Sequence, residues 1–571
     1  MFRIFIYISS VAVLFSQCTR SQKPATSQKT AVSQTSGQVL FTTNCASCHA
    51  LETEEIGPRL GGVTQLFSND RLTAFIKNPN AFIEKGDKRT VALAQRYKMV
   101  MPPFEFLKDD EIKSILTYLD QESKSRDLKP LLVETSETTP KPERLAAPIT
   151  KSNLKIELED FVTMPFSSEK MPRTRIATMR TSPAGDGSLF VSDQRGFIYK
   201  ITNGKVAEFM NISPLVDNFI NEPGLGTGLG SFAFHPDYLK NGLIYITHTE
   251  AFKGKPADNA YSDTIKVAMQ WVVSEGKMDD VKSPVFKGKR RELLRINVPG
   301  AVHGMQDIGF VPDVPKNSPE YGLLYIGIGD GSSTISGYPQ LCHTLKSPLG
   351  TILRIDPLGS NSKNGNYGIP KDNPFVKEKD NTVYKEIYAY GFRNPHRTAW
   401  YDGKLFSTEV SESNFEEINV VVPGGDYGWN VREGNYGISF KDLKKVFTVS
   451  EPDTLNYIRP FALYDHYDGS AISGGYVYEG KLEALKNKYV FGDIVSGKLF
   501  FVNVNKTLSD PSVHELSVIY EGKETNLVEL TGSKRVDVRI EYDRQADEMY
   551  IMTKPDGRIR RVKNAFVKTE M

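Results

Sequence analysis

The chain has little cysteine, four residues in 571. So few thiols cannot staple a protein of this length, and its stability must come from buried apolar surface. It also lacks an excess of charge. Lys and Arg number 71 against 69 Asp and Glu, a formal net charge of +2, which removes the electrostatic case for nucleic acid as a partner. A bilayer-spanning run is missing near the N-terminus: the apolar stretch from Ile4 to Phe15, after Arg3, is too short to cross. It reads instead as a signal peptide.

Two of the scarce cysteines stand together in Cys45-Ala46-Ser47-Cys48-His49. C-x-x-C followed at once by histidine is the attachment signature of c-type haem. The two thiols become thioethers, and His49 becomes an axial iron ligand. A bare C-x-x-C would also suit a redox dithiol or half a zinc site. The added histidine and the lack of a second C-x-x-C favour haem.

Haem needs a sixth ligand, and Met101-Pro102-Pro103-Phe104 supplies Met101; Met99 is the rival. Asp109-Asp110-Glu111-Ile112 opens an expected amphipathic helix to about Leu119, apolar at Ile112, Ile115, Leu116 and Leu119. With Gly57-Pro58 after the haem motif, the segment resembles a small class I cytochrome c. In such domains a Gly-Pro segment braces the histidine and a Met-Pro segment carries the sulfur ligand. His/Met ligation suits electron transfer.

The flanks are read as processing signals and linkers. Leu14-Phe15-Ser16-Gln17-Cys18 looks like a loose bacterial lipobox, so residues 1–18 are expected to be a lipoprotein-type signal peptide and Cys18 a lipidated N-terminus. Gln17 departs from the usual small residue, which leaves ordinary signal cleavage open. Residues 19–37, rich in Ser, Thr, Gln and Lys, form an expected tether. The predicted organisation continues with an all-α cytochrome domain over 38–122 and a Pro-broken linker over 123–150. Such a protein is exported, periplasmic or held at the cell envelope, and meets the membrane only through its lipid.

From 151 to 571 the composition shifts to Gly, Tyr, Phe, Val and Ile in short alternating runs, an all-β pattern. Six runs share one form, opening at Gly187, Gly242, Gly322, Gly403, Asn487 and Asp547. Each starts at a turn and alternates aromatic with small or β-branched residues, as in Gly322-Leu323-Leu324-Tyr325-Ile326-Gly327. Six uneven copies predict a six-bladed β-propeller, with a pair of packed β-sandwich sheets as the alternative.

The motifs between these runs include Phe232-Ala233-Phe234-His235-Pro236-Asp237, Leu353-Arg354-Ile355-Asp356-Pro357, Gly391-Phe392-Arg393-Asn394-Pro395 and Gly424-Gly425-Asp426-Tyr427-Gly428-Trp429. In this order they resemble the glucose/sorbosone dehydrogenase family, the soluble sugar dehydrogenases that use pyrroloquinoline quinone. The resemblance covers nearly all of 155–565 and implies a six-bladed propeller. It implies that His303 is the catalytic base, that Asp330 orients it, and that Arg393 and Asn394 contact the quinone. A neutral imidazole near pH 7 suits a base that takes a proton as hydride leaves, and a guanidinium suits the anionic reduced cofactor. The family's lysine and two arginines for the quinone carboxylates are only partly matched. Val495 takes the lysine's place, Lys534 and Arg535 approximate the arginines, and Val536 falls where one is expected. Val410 takes the place of a cofactor-binding glutamine, and calcium would be held by the backbone carbonyls of Ser411 and Glu412.

Together these readings describe an oxidoreductase. A sugar (aldose) or related small alcohol loses hydride to the quinone, and electrons pass to the fused haem c and on to an external cytochrome or terminal oxidase. The alternative is a non-catalytic carbohydrate-binding or adhesion propeller carrying a separate electron-transfer cytochrome. His235 is expected to organise a turn, and Cys342 is left without a partner.

Overall fold

The computed structural model describes residues 36–568 except 47, 55–56, 98–100, 102, 134–143, 260–261, 263 and 440–441. The expected signal peptide, Cys18, the expected tether up to residue 35 and the rival ligand Met99 lie outside the described residues.

The N-terminal part is helical, and its frame is two packed helices, α1 (Ser36–Asn44) and α2 (Asp109–Ser125). The expected tether therefore ends two residues early. Gly37 already sits against α2, where a Cβ would lie 2.0 Å from the Ser114 carbonyl oxygen, so only glycine allows this approach. On α2 the four predicted apolar positions are buried beside Phe41, Cys45 and Phe104. The helix runs six residues past the expected Leu119. Lys124 pairs with Asp120 and Arg126 with Glu122 across one turn, and Ser123 is buried with its Oγ accepting from the Gly62 amide. The unit also reaches past residue 122, because Leu128 packs on its core and Arg59 donates to the Lys129 carbonyl.

The expected linker is shorter than its composition suggests. Arg144 pairs with Asp468 at 2.6 Å, and the amides of Leu145 and Ala146 both donate to Asp465. The chain is thus tied down before the first strand, Thr150–Thr163.

The remainder is largely β. Four four-stranded sheets open with Ile176–Thr181, Leu229–Phe234, Asp307–Phe310 and Pro395–Tyr401. A nine-stranded sheet then joins two further four-strand groups, which open with Ile472–Val477 and Val538–Asp543. The join is Thr150–Thr163. It pairs antiparallel with the last strand, Arg558–Val567, and parallel with Val513–Tyr520. The start of the domain is therefore stitched to its end, which covers an otherwise open edge.

The opening strands touch in cyclic order, the sixth returning to the first. Each neighbouring pair of groups also shares an apolar cluster, from Phe190, Phe209 and Phe232 between the first two to Val191, Tyr550 and Ile559 between the last and the first. The core is thus a set of layers between sheets, unlike the single layer of a sandwich.

All six repeats fall on the second strand of their group, for example Leu189–Asp193 and Glu548–Thr553. The residue that opens each repeat has positive φ, from 56° at Asn487 to 77° at Gly322. Gly, Asn and Asp are the residues that tolerate that conformation at a hairpin turn.

Candidate functional site

In the helical unit, Cys45, Cys48, His49 and Met101 line one cavity whose other walls include Leu72, Phe75, Leu93 and Leu116. The His49 Nδ1 hydrogen is donated to the Pro58 carbonyl at 2.8 Å, so Nε2 is the nitrogen that would ligate a haem iron. Burial lowers the His49 pKa and keeps the ring neutral, as a metal ligand must be. A Cβ on Gly57 would lie 2.5 Å from the His49 ring, so the Gly-Pro brace depends on its glycine. Burial pushes the Cys45 thiol up to about 12. An apolar cavity with two thiols, an oriented imidazole and a thioether fits haem c.

The second site is a cleft of about 1160 Å³. One wall belongs to the helical unit through Cys48, Tyr97, Met101, Glu105 and Phe106, and the other to strand ends and loops of the β domain. Glu105 and Lys170 form an ion pair across it.

His303 and Asp330 come from two loops flanking one hairpin, and the fold brings them together. His303 Nδ1 lies 2.9 Å from Asp330 Oδ1. Asp330 is fully buried and also accepts from the Ser332 and Thr334 amides at 3.1 and 3.2 Å. Burial alone would raise its pKa, but His303 and Arg393 hold it at about 2. Burial, and then the Arg393 cation, lower the His303 pKa against the opposing pull of Asp330. The result is a neutral imidazole with Nδ1–H fixed on a carboxylate and Nε2 able to accept a proton.

This pairing stores local strain. His303 is left-handed, with φ 58°, a conformation that costs a non-glycine residue energy and recurs at functional sites. Gly329 makes room for it: a Cβ there would meet Asn394 Oδ1 at 2.5 Å and the His303 Cβ at 2.8 Å.

Arg393 and Asn394 stand in the same cleft. The Arg393 guanidinium is buried, pairs with Glu412 at 2.5 Å and donates to the Ser411 and Val410 carbonyls at 2.5 and 3.2 Å. Glu433 fixes the loop beneath it by accepting from the amides of Glu412, Ser413 and Asn414. This arrangement bears on calcium. The Ser411 carbonyl is committed to Arg393, and among the described residues no group of three or more His, Cys, Asp or Glu side chains could hold a metal. Calcium at this loop would have to share the Ser411 carbonyl with the Arg393 cation.

The other expected quinone contacts are displaced from an ideal clamp. Arg535 lines the cleft but is paired with Asp537 at 3.1 Å, while Lys534 is exposed at the rim. Val495 and Val536 are buried and offer no charge. His235 organises a turn as expected, its Nδ1 accepting from the Asp237 amide and from Asn241. Cys342 is fully buried and its thiol pKa is raised well above normal by burial, so it is inert packing.

Several cleft residues were not foreseen from sequence: Arg175, Gln306, His396, His466, Arg539 and Lys554. A signal for Lys554 does exist. The residues seven places after the six repeat-opening turns are Gln194, Thr249, Gly329, Val410, Ile494 and Lys554. The last three line the cleft, and Gly329 adjoins His303. Register within the repeats therefore selects cleft positions.

Comparison with known proteins agrees with this organisation. The family model for glucose/sorbosone dehydrogenase matches residues 177–565, and that for cytochrome c matches 34–123. HIPL1 protein of Arabidopsis thaliana is 27% identical over 57% of this chain and 52% of its own length. The chain thus spans about half of that relative. Quinoprotein glucose dehydrogenase B of Acinetobacter calcoaceticus is 26% identical over 52% of this chain and 68% of its own. A crystal structure of a glucose dehydrogenase, 17% identical, covers 68% of this chain and 96% of its own with a TM-score of 0.50, a likeness of fold. The chain belongs to the glucose/sorbosone dehydrogenase family and carries a cytochrome c domain ahead of the family domain.

Proposed function

We propose that the chain is a pyrroloquinoline-quinone-dependent dehydrogenase of an aldose or related alcohol, built as a six-bladed propeller that passes electrons to its own haem c. The observation that carries this reading is the neutral His303 imidazole, oriented by Asp330 and set beside the Arg393 guanidinium, in a cleft whose facing wall is the haem-bearing unit. The cyclic contact of six opening strands supports the blade count.

Within this reading each residue has a task. His303 Nε2 accepts the proton of the substrate hydroxyl, and the Asp330 carboxylate stabilises the imidazolium that results. Arg393 and Asn394 face the quinone, with Lys534 and Arg535 at the rim. When bound, the quinone supplies a two-electron acceptor for the substrate's hydride and the haem a one-electron outlet. Cys45, Cys48, His49 and Met101 hold the haem, and a tethered acceptor acts at high effective concentration. An external cytochrome or terminal oxidase completes the chain of transfer, and lipidated Cys18 holds the exported protein at the cell envelope.

The test is to add the quinone to purified full-length protein and assay dye reduction with a panel of aldoses and small alcohols. Quinone-dependent turnover with at least one of them is expected. A protein that binds no quinone would instead be the carbohydrate-binding propeller with a separate cytochrome.

A further inference from the structure

The cleft contains two buried basic side chains with no carboxylate in ion-pair contact among the described residues. Arg539 stands on the opening strand of the last group, Val538–Asp543, and Lys554 directly follows that group's second strand, Glu548–Thr553. Both line the cleft, and they are only 5% and 6% exposed. Lys554 Nζ donates to the neutral Gln194 side chain at 2.8 Å, and Arg539 Nη1 donates to the Val538 carbonyl at 2.8 Å. Arg539 Nε has no hydrogen-bond partner, and neither side chain has a carboxylate within ion-pair distance among the described residues. The His396 Nε2 beside them is also buried and unpartnered.

Such an arrangement costs folding free energy. A buried charge is tolerated when it is paired; here Arg397, Arg535 and Arg175 repel the two groups, and the Asp537 carboxylate that attracts both is already ion-paired with Arg535. Burial, and then Arg397, lower the Arg539 pKa to about 9. Burial, and then Arg539, lower that of Lys554 well below the usual lysine value. The cations the sequence expected in this role are spent or absent, since Arg535 is neutralised by Asp537, Lys534 is exposed, and Val495 and Val536 are apolar. An anionic ligand with more than one carboxylate would complete the site through charge-assisted hydrogen bonds.

We infer that Arg539 and Lys554 form the carboxylate clamp of the quinone site, a clamp carried at different positions from those the family resemblance implies. The inference rests on the quinone reading above and names the residues that hold the ligand's acidic side. The clamp lies on the last group of strands and His303 on the third, so the ligand would span the cleft between them.

The test uses the full-length haem-loaded protein, its Arg539→Gln and Lys554→Gln variants, and two probes: pyrroloquinoline quinone and its trimethyl ester, in which the carboxylates are masked. Binding is read by fluorescence quenching and apo stability by thermal midpoint. Each substitution should weaken quinone binding about 10- to 100-fold, the range of a lost hydrogen bond to a charged group, and leave ester binding nearly unchanged. The apo midpoints should equal or exceed that of the wild type, because a repelled buried cation has been removed. Quinone bound equally by wild type and variants would overturn the clamp alone. Lower apo midpoints with equal losses for both probes would make the two residues structural and overturn it too. A wild type that binds neither probe would overturn the quinone reading and the clamp with it.

Discussion

The two candidate cofactor sites are built on opposite principles. The haem cavity takes its chemical groups from one short stretch, Cys45 to His49 braced by Gly57-Pro58, plus Met101, and its walls are apolar. On the proposed reading covalent attachment and an iron ligand would hold the group, so charge is not needed. The cleft draws on residues from Cys48 to Pro555, across both the helical unit and the β domain. It is crowded with ionisable side chains, because a group held without covalent bonds must be recognised by charge and direction. Local chemistry makes the first site; the closure of a whole ring of sheets makes the second.

That contrast is sharpest in what a single substitution should do. In the haem cavity the expected effect is all or nothing. Cys45→Ser with Cys48→Ser should leave no haem on the chain in a denaturing gel stained for haem, while quinone binding to the β domain persists. Haem that stays covalently attached would break the assignment.

The next largest effect is expected at the base. His303→Ala should lower dye-linked turnover by roughly two to four orders of magnitude, the range of a lost general base, with quinone affinity nearly unchanged. Near-normal turnover at saturating sugar would place the base elsewhere.

The electrostatics around His303 yield a pair of opposite shifts. A base must be neutral to act, so turnover falls as pH drops through the His303 pKa. Burial and Arg393 set that pKa below the ordinary 6.5, and the acid limb of the kcat profile should lie below it. Asp330 is a group that raises the His303 pKa, so Asp330→Asn should move the limb further toward acid while lowering turnover. Arg393 lowers it, so Arg393→Ala should move the limb toward neutral pH. Shifts of the same sign in both variants would contradict the arrangement. The Asp330 contribution to stability has its own window. Its folded pKa is about 2 against an ordinary 3.8, so the contribution is complete above about 3.8 and is lost as pH falls through 2.

What the sequence made legible follows from the same contrast. Cys45, Cys48 and His49 are near neighbours in the chain and carry a compact signature, and one cavity holds them together with the distant Met101. The six repeat strands were equally visible, because a turn residue and an alternating strand are local features. His303 and Asp330 came through resemblance, and the fold brings them within 2.9 Å. Arg539 and Lys554 were missed because a lone basic residue within or just after a strand carries no pattern. Only the shared register of the repeats, and a neutral glutamine as partner where a carboxylate would be usual, single out Lys554. Likewise the end of α2 and the anchoring of Arg144 were hidden in segments whose polar composition resembles a free linker.

Smaller effects are expected where the two regions meet. Glu105→Lys should slow reduction of the haem several-fold without changing dye reduction, and Lys170→Glu added to it should restore the rate, since the half-buried Glu105 and exposed Lys170 form a pair worth little to stability by itself. An unaltered haem-reduction rate in Glu105→Lys would show that this contact does not guide the transfer. The smallest effect should follow chelation of calcium. Arg393 already holds the Ser411 carbonyl, so a chelator should leave quinone binding and turnover unchanged, and loss of both on chelation would restore the calcium expectation.

The central claim is that the cleft and the haem cavity work as one path, and rapid mixing tests it most directly. Full-length protein with oxidised haem and bound quinone is mixed with an aldose that supports dye reduction, and haem absorbance is followed at increasing protein dilution. The account predicts reduced haem forming at a rate independent of protein concentration, with no reduction without quinone and almost none in His303→Ala. A rate that falls in proportion to dilution would mean that electrons travel between molecules, and haem that stays oxidised while the dye is reduced would contradict the account.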